Sequence, residues 1–277
     1  MLRPIGLQCV DIRTEVPTNL ESNMPKELVG KIALVTGGSR NIGRETALAL
    51  AALGADVVIT YREQKESAAQ TVKDLQALGV KAAMLQVNLT GVAQLAGLVA
   101  QFKAQLQSWG RQDFDILINN AGTLRIATFD KVTEDDLDAT FATNYKSVFF
   151  LTQHLHGLMS DGGRIVNLGS GTARIAFGPL VSYGPLKAAL QSLTLYLASF
   201  LGHRGITVNA VAPGGLDDDF NAPLFAMMPA KDYIKANTAV GRVGVPTDVS
   251  GVIAFLCSPQ ASFVSGAVLQ IDGGYHL

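Results

Sequence analysis

A chain of 277 residues that is 48% hydrophobic is long enough to bury a large core and suits one α/β domain. Its formal net charge of −1, with no extended basic stretch, argues against nucleic acid as the main partner and favours small-metabolite chemistry. Cys9 and Cys257 lie far apart without metal-ligand spacing, which argues against a disulfide framework or zinc site and fits the cytoplasm; no run approaches the ~18 apolar residues that span a bilayer.

Residues 1–29 have no sustained apolar region after their basic start and no clear cleavage site, so they read as a flexible tail rather than a signal peptide. Ile32 to Thr36 is a short apolar run fit for a buried parallel strand, and Ala47 to Leu53 is rich in helix formers. The turn between them runs from Gly37 to Gly43. Glycine lets the backbone turn sharply and approach a pyrophosphate, and a helix N-terminus offers unpaired N–H groups and partial positive charge. Gly37, Ser39, Arg40, Asn41, Ile42 and Gly43 are therefore assigned to a dinucleotide. Glycine turns of this composition are also common structural turns, and the position between strand and helix is what favours the cofactor.

The second strand, from Asp56, ends in Thr60, Tyr61 and Arg62. An NAD site usually places an acidic residue there for the adenine ribose hydroxyls. With no carboxylate waiting, Arg62 and Arg40 can pair with a 2′-phosphate, so NADP(H) is preferred over NAD(H). The plainer alternative for each Arg is a solvated helix-end charge. Later strands are expected at Lys81 to Val87, Phe114 to Ile118, Arg164 to Leu168, Ile206 to Val211 and Ala267 to Ile271. Repeated βα units predict a single-domain, Rossmann-like, doubly wound parallel sheet with helices on both faces, its site beyond the carboxyl ends of the strands.

The chemistry is carried by Ser170 and by Tyr183-x-x-x-Lys187. Residues four apart on a helix share one face, so phenol and ammonium can reach one small volume. A cation about 4 Å away at an effective dielectric of ~20 would favour phenolate by roughly 4 kcal/mol, about 3 pKa units before desolvation opposes it. That suits a general acid for a carbonyl oxygen, which Ser170 can hold. Pro185 falls in the first helical turn, where its missing N–H is tolerated. Alone, the Tyr/Lys spacing more often marks an amphipathic helix with a solvated Lys.

Together these motifs resemble the classical short-chain dehydrogenase/reductase family from about Gly30 to Tyr275. The match also includes Asn119-Asn120-Ala121-Gly122, Asn144, Pro213-Gly214 and the closing Ser265 to Gly274 segment. The resemblance implies Tyr183 as acid or base, Lys187 also on the nicotinamide ribose, Ser170 on the substrate carbonyl, and Asn144 on a water that relays protons to the Lys. It implies Asn120, Ala121 and Gly122 along the adenosine side, and Pro213, Gly214 and Leu216 beside the nicotinamide. The pair Asn88 and Leu89 is implied at the adenine, with Asn88 in place of the usual Asp. Asn41 replaces the family's middle glycine and implies a left-handed or polar turn. Asp218 stands where a Thr often contacts the nicotinamide carboxamide.

Residues 216–240, with Phe220, Leu224 and Met227, read as an apolar substrate lid over a fairly hydrophobic substrate; an ordinary surface helix is the alternative. The expected activity is NADPH-dependent reduction of a ketone or aldehyde, in the cytoplasm and without membrane or nucleic-acid partners. A 3-oxoacyl-acyl carrier protein reductase is the nearest alternative, disfavoured because Asp161 and Ser199 offer no cation where such enzymes carry Arg. The three-residue gap between Tyr183 and Lys187 disfavours enoyl reduction. A non-catalytic NADP(H)-binding sensor or scaffold is the alternative of another class. The resemblance further implies a homotetramer built on the helices near Asn144 to Met159 and Ser182 to Leu201. Residues 1–23 are expected to be dispensable.

Overall fold

The computed structural model describes residues 26–227 and 230–277. The tail and its dispensability therefore lie outside the described residues, as do Met228 and Pro229 of the expected lid. Seven parallel strands form one sheet: β1 (Ile32–Val35), β2 (Asp56–Tyr61), β3 (Ala82–Gln86), β4 (Phe114–Asn119), β5 (Met159–Leu168), β6 (Thr207–Pro213) and β7 (Val268–Ile271). Their order is β3-β2-β1-β4-β5-β6-β7. Because the chain winds outward from β1 in one direction and from β4 in the other, the loops after these strands part and leave a crevice.

The helices are α1 (Asn41–Ala52), α2 (Lys65–Ala77), α3 (Val92–Ser108), α4 (Glu134–Phe141), α5 (Ser147–Leu155), α6 (Gly184–Leu201), α7 (Ala222–Met227), α8 (Ala230–Ala236) and α9 (Pro246–Cys257). None among the described residues is long and apolar enough to cross a membrane. Strand residues alternate between the two faces. Ala33 and Val35 pack with Leu50 of α1, Leu75 of α2 and Ile253 of α9. Ile32 and Leu34 pack on the other face with Phe102 of α3, Leu155 of α5 and Leu201 of α6. Burial on both faces is why β1 reads as an unbroken apolar run.

One element departs from expectation. β5 begins at Met159, before the expected Arg164, and its pairing with β4 shifts register between Phe114 and Ile116. The polar Ser160-Asp-Gly-Gly segment hides this strand start, since Gly162 takes a φ of 74°. The described residues of the 216–240 segment carry two short helices, α7 and α8. Leu224 and Ile234 are buried, whereas Met227 and Tyr233 are exposed.

Candidate active site

The loops beyond β1 to β6 and the start of α6 enclose a cleft of about 490 Å³. Every expected cofactor residue from Gly37 to Leu216 lines it. At its centre the glycine turn leaves space that side chains would fill: a Cβ on Gly43 would stand 2.2 Å from the Gly37 carbonyl oxygen, and one on Gly37 would stand 3.1 Å from Ala121 Cα. Gly37 has φ 66° and Asn41 φ 51°, so the Asn that replaces a glycine does adopt the left-handed conformation. Arg40 precedes α1 without a side-chain cap, and the first turn holds no acid. Its unpaired N–H groups suit an anion, so a glycine cradle at a helix N-terminus fits a dinucleotide pyrophosphate.

At one end of the cleft Arg40 and Arg62 are both about half exposed. Arg40 lies 3.7 Å from Asp219, and Arg62 lies 3.0 Å from Glu63. Glu63 corrects the expectation that no carboxylate waits near the end of β2; it sits one residue beyond Arg62 and lines the cleft. Asn88 is exposed on the same wall. Asn120 is mainly a tie for the turn, its amide donating to the Thr36 and Gly37 carbonyls at 2.8 and 3.0 Å.

At the other end Tyr183 caps α6, and the Lys187 N–H donates to the Tyr183 carbonyl at 3.0 Å, so the four-residue spacing does share a helical face. The Ser170 hydroxyl accepts from the Thr172 N–H at 3.2 Å, and the Ser170 carbonyl accepts from Gln191 Nε2 at 3.1 Å. Gly184 allows this approach, because a Cβ there would stand 2.8 Å from the Thr172 oxygen. Asn144 does not line the cleft. It is fully buried on a π-turn, Ala142–Lys146, donating to the Thr123 and Thr140 carbonyls at 2.9 and 3.0 Å. It stands behind Gly122, where a Cβ would meet Asn144 Oδ1 at 2.9 Å and Lys187 Nζ at 3.8 Å.

Lys187 is not the solvated lysine of an ordinary amphipathic helix: it is 3% exposed and donates to the Leu168 carbonyl at 2.6 Å. Its nitrogen is 5.4 Å from the centre of the Tyr183 ring. The expected lowering of the Tyr183 pKa is corrected here. Burial pushes the phenol up, the Asp218 charge adds to this, and the Ser170 hydroxyl opposes it. Burial also lowers Lys187 to about 7, so it does not act on the phenol as a full, close cation.

The cleft wall beside Tyr183 contains residues that the motifs did not single out. Leu180, Tyr183 and Leu224 form a buried cluster with Leu124, Ile126, Phe177 and Phe220, and the Phe220 ring lies 6.3 Å from that of Tyr183. Phe177 and Leu180 lie between Ser170 and Tyr183 in the chain, and that position was the available signal. Tyr275 and Asp272 also reach the cleft, Asp272 facing Arg174 at 3.5 Å. Among the described residues no metal-binding cluster is present.

A family model described as enoyl-(acyl carrier protein) reductase matches residues 37–276. Hydroxynaphthalene reductase-like protein Arp2 of Metarhizium brunneum is 37% identical over 262 residues, 90% of this chain and 96% of that protein. Angucycline C-6 ketoreductase LanV, solved with bound NADP, is 35% identical with a TM-score of 0.86, covering 90% of this chain and 97% of its own. A short chain dehydrogenase of Burkholderia cenocepacia in complex with NADP is 39% identical with a TM-score of 0.82, covering 90% and 98%. This parallel sheet, glycine cradle and Ser/Tyr/Lys grouping belong to an oxidoreductase. The chain is a member of the classical short-chain dehydrogenase/reductase family.

The buried Lys187 links stability to pH. With a folded value near 7 against 10.5 unfolded, the burial penalty is fully present below pH 7 and fades as pH rises towards 10.5. Between pH 7.5 and 9 the cofactor-free protein should gain stability relative to Lys187→Met, by up to about 1.4 kcal/mol per pH unit. Denaturant unfolding of both proteins checks this, since the opposing effect of the buried Cys257 thiol is common to both. A difference that does not change with pH would refute it.

Proposed function

We propose that the protein is an NADPH-dependent carbonyl reductase that converts a ketone or aldehyde to an alcohol, reversibly, with Tyr183 as the general acid or base. The observation that carries this reading is the convergence of Ser170, Tyr183 and Lys187 on one end of a cleft whose other end is a glycine cradle. When bound, the reduced nicotinamide supplies the hydride. Ser170 holds the substrate oxygen, Tyr183 protonates it as it becomes an alkoxide, and Lys187 with Asn144 behind it restores that proton. Burial keeps the phenol protonated, the state a proton donor needs. Pro213, Gly214 and Leu216 border the nicotinamide, and the described residues of 216–240 close over the substrate.

Preference for NADP(H) over NAD(H) rests on Arg40 and Arg62, whose exposed partners Asp219 and Glu63 can give way to a 2′-phosphate. The bound NADP of two relatives supports the same choice. The apolar substrate wall favours a ketone with an apolar body, in keeping with the names of the hydroxynaphthalene reductase-like and angucycline ketoreductase relatives. Reduction of a carbon–carbon double bond is disfavoured by the Tyr183/Lys187 spacing despite the family model's description. A carrier-bound 3-oxoacyl substrate is disfavoured too: Arg204, the cation beside Asp161, is paired with it at 2.8 Å. The enzyme acts in the cytoplasm as a homotetramer. The exposed Phe149 of α5 and Leu195, Tyr196 and Phe200 of α6 supply apolar faces for that assembly.

Replacing Tyr183 by Phe should lower kcat for ketone reduction by about 10²–10⁴-fold while the protein still binds NADPH. Steady-state kinetics and a cofactor titration test this, and a variant with most of its turnover would sink the mechanism. Arg40→Ala combined with Arg62→Ala should raise KM for NADPH by about tenfold or more and move that for NADH by less than about threefold. Equal changes for both cofactors would show that the two guanidinium groups do not read the 2′-phosphate.

A further inference from the structure

Three consecutive acids follow Leu216, and the fold gives them different surroundings. Asp217 pairs with Lys231 at 2.6 Å, and Asp219 faces Arg40 at 3.7 Å. Asp218, between them, pairs with no cation among the described residues and lines the substrate end of the cleft. Its Oδ1 accepts from both the Asn221 N–H, at 3.0 Å, and Asn221 Nδ2, at 2.8 Å. The Phe220 amide lies beside the carboxylate. Oδ2 takes no side-chain donor among the described residues. Phe220, two residues on, belongs with Phe177, Leu180 and Leu224 to the apolar cluster at Tyr183, and all four line the same cleft.

A purely apolar substrate seated there would strip water from a carboxylate without replacing its hydrogen bonds, which is costly. We propose that Asp218 is a specificity-determining residue whose free carboxylate oxygen accepts a hydrogen bond from a hydroxyl on the substrate, so the preferred substrates are hydroxylated ketones with an apolar body. This rests on the carbonyl reductase reading and adds the polar group that the substrate carries. Burial holds the Asp218 carboxyl above its ordinary value, and a donor from the substrate relieves that penalty. The Asp218 charge also acts on the Tyr183 phenol, and the ring of Phe220, two residues from Asp218, lies 6.3 Å from that of Tyr183.

The test compares 1-tetralone with the series of monohydroxylated 1-tetralones. Each is measured as a substrate with NADPH and, by calorimetry, as a ligand of the enzyme–NADP⁺ complex. Asp218→Asn is the informative variant, because it can keep an oxygen towards Asn221 while turning the free acceptor into a donor. Asp218→Thr, with melting temperatures for both, guards against a folding defect. The wild type should prefer at least one hydroxylated ketone over the parent by about tenfold, and Asp218→Asn should reduce that ratio by about tenfold in both kcat/KM and binding. Affinity for NADPH should move by less than about threefold on the same scale of interaction. Identical ratios in wild type and variants would overturn the proposal. So would an equal loss for all ketones with weakened NADPH binding, which would place Asp218 on the cofactor instead. If the wild type reduces no tetralone, the calorimetric ratio still decides the role of Asp218, and the reductase reading falls separately only if no ketone or aldehyde is reduced.

Discussion

The site depends on a clasp across the point where β1 and β4 diverge. The Thr36 hydroxyl donates to the Ile118 carbonyl at 3.1 Å and accepts from the backbone N–H groups of Asn120 and Ala121 at 2.9 and 3.0 Å. The Asn120 side chain returns the contact to the Thr36 and Gly37 carbonyls. These groups sit where the parallel ladder ends and backbone groups lose their strand partners, so side chains must satisfy them. Each bond adds about 1 kcal/mol net, but losing one strands a buried group at about 1–3 kcal/mol. Thr36 and Asn120 therefore hold the glycine cradle open at the shape a dinucleotide needs.

A second constraint is the burial of Tyr183 and Lys187 at the other end of the cleft. Burial acts on Tyr183 and Lys187 in opposite directions on the pKa scale, yet it favours the uncharged form of both. A neutral phenol can donate a proton, and an amine with a value near 7 can exchange one at physiological pH. The polar network behind them is ordered: Asn119 Nδ2 donates to Asn167 Oδ1 at 2.9 Å, and Asn167 Nδ2 donates to Thr194 Oγ1 at 3.0 Å. It ties β4 and β5 to α6, the helix that carries the Tyr/Lys pair.

The sheet was legible because each central strand is buried on both faces and appears as a bounded apolar run, as in Ile32–Val35 and Phe114–Asn119. That the glycine turn and its partners line one cleft was legible because their spacing obeys local backbone geometry, with Asn41 in the left-handed conformation the clearest case. What stayed hidden depends on neighbours distant in sequence. The early start of β5 follows from pairing with β4. The upward shift of Tyr183 follows from burial that a helical spacing does not reveal, and the pairing of Arg40 with Asp219 joins positions from opposite walls of the cleft. Nor does the triplet Asp217 to Asp219 show in sequence which acid pairs with no cation among the described residues.

The most direct test of the central claim is the fate of the transferred hydrogen. NADPH dideuterated at C4 would be incubated with the protein and a bicyclic aryl ketone, and the product analysed by mass spectrometry and NMR. The account predicts one deuterium on the carbinol carbon of the alcohol. Deuterium on a carbon that was not the carbonyl carbon, or no NADPH consumption with any ketone despite tight cofactor binding, would contradict it.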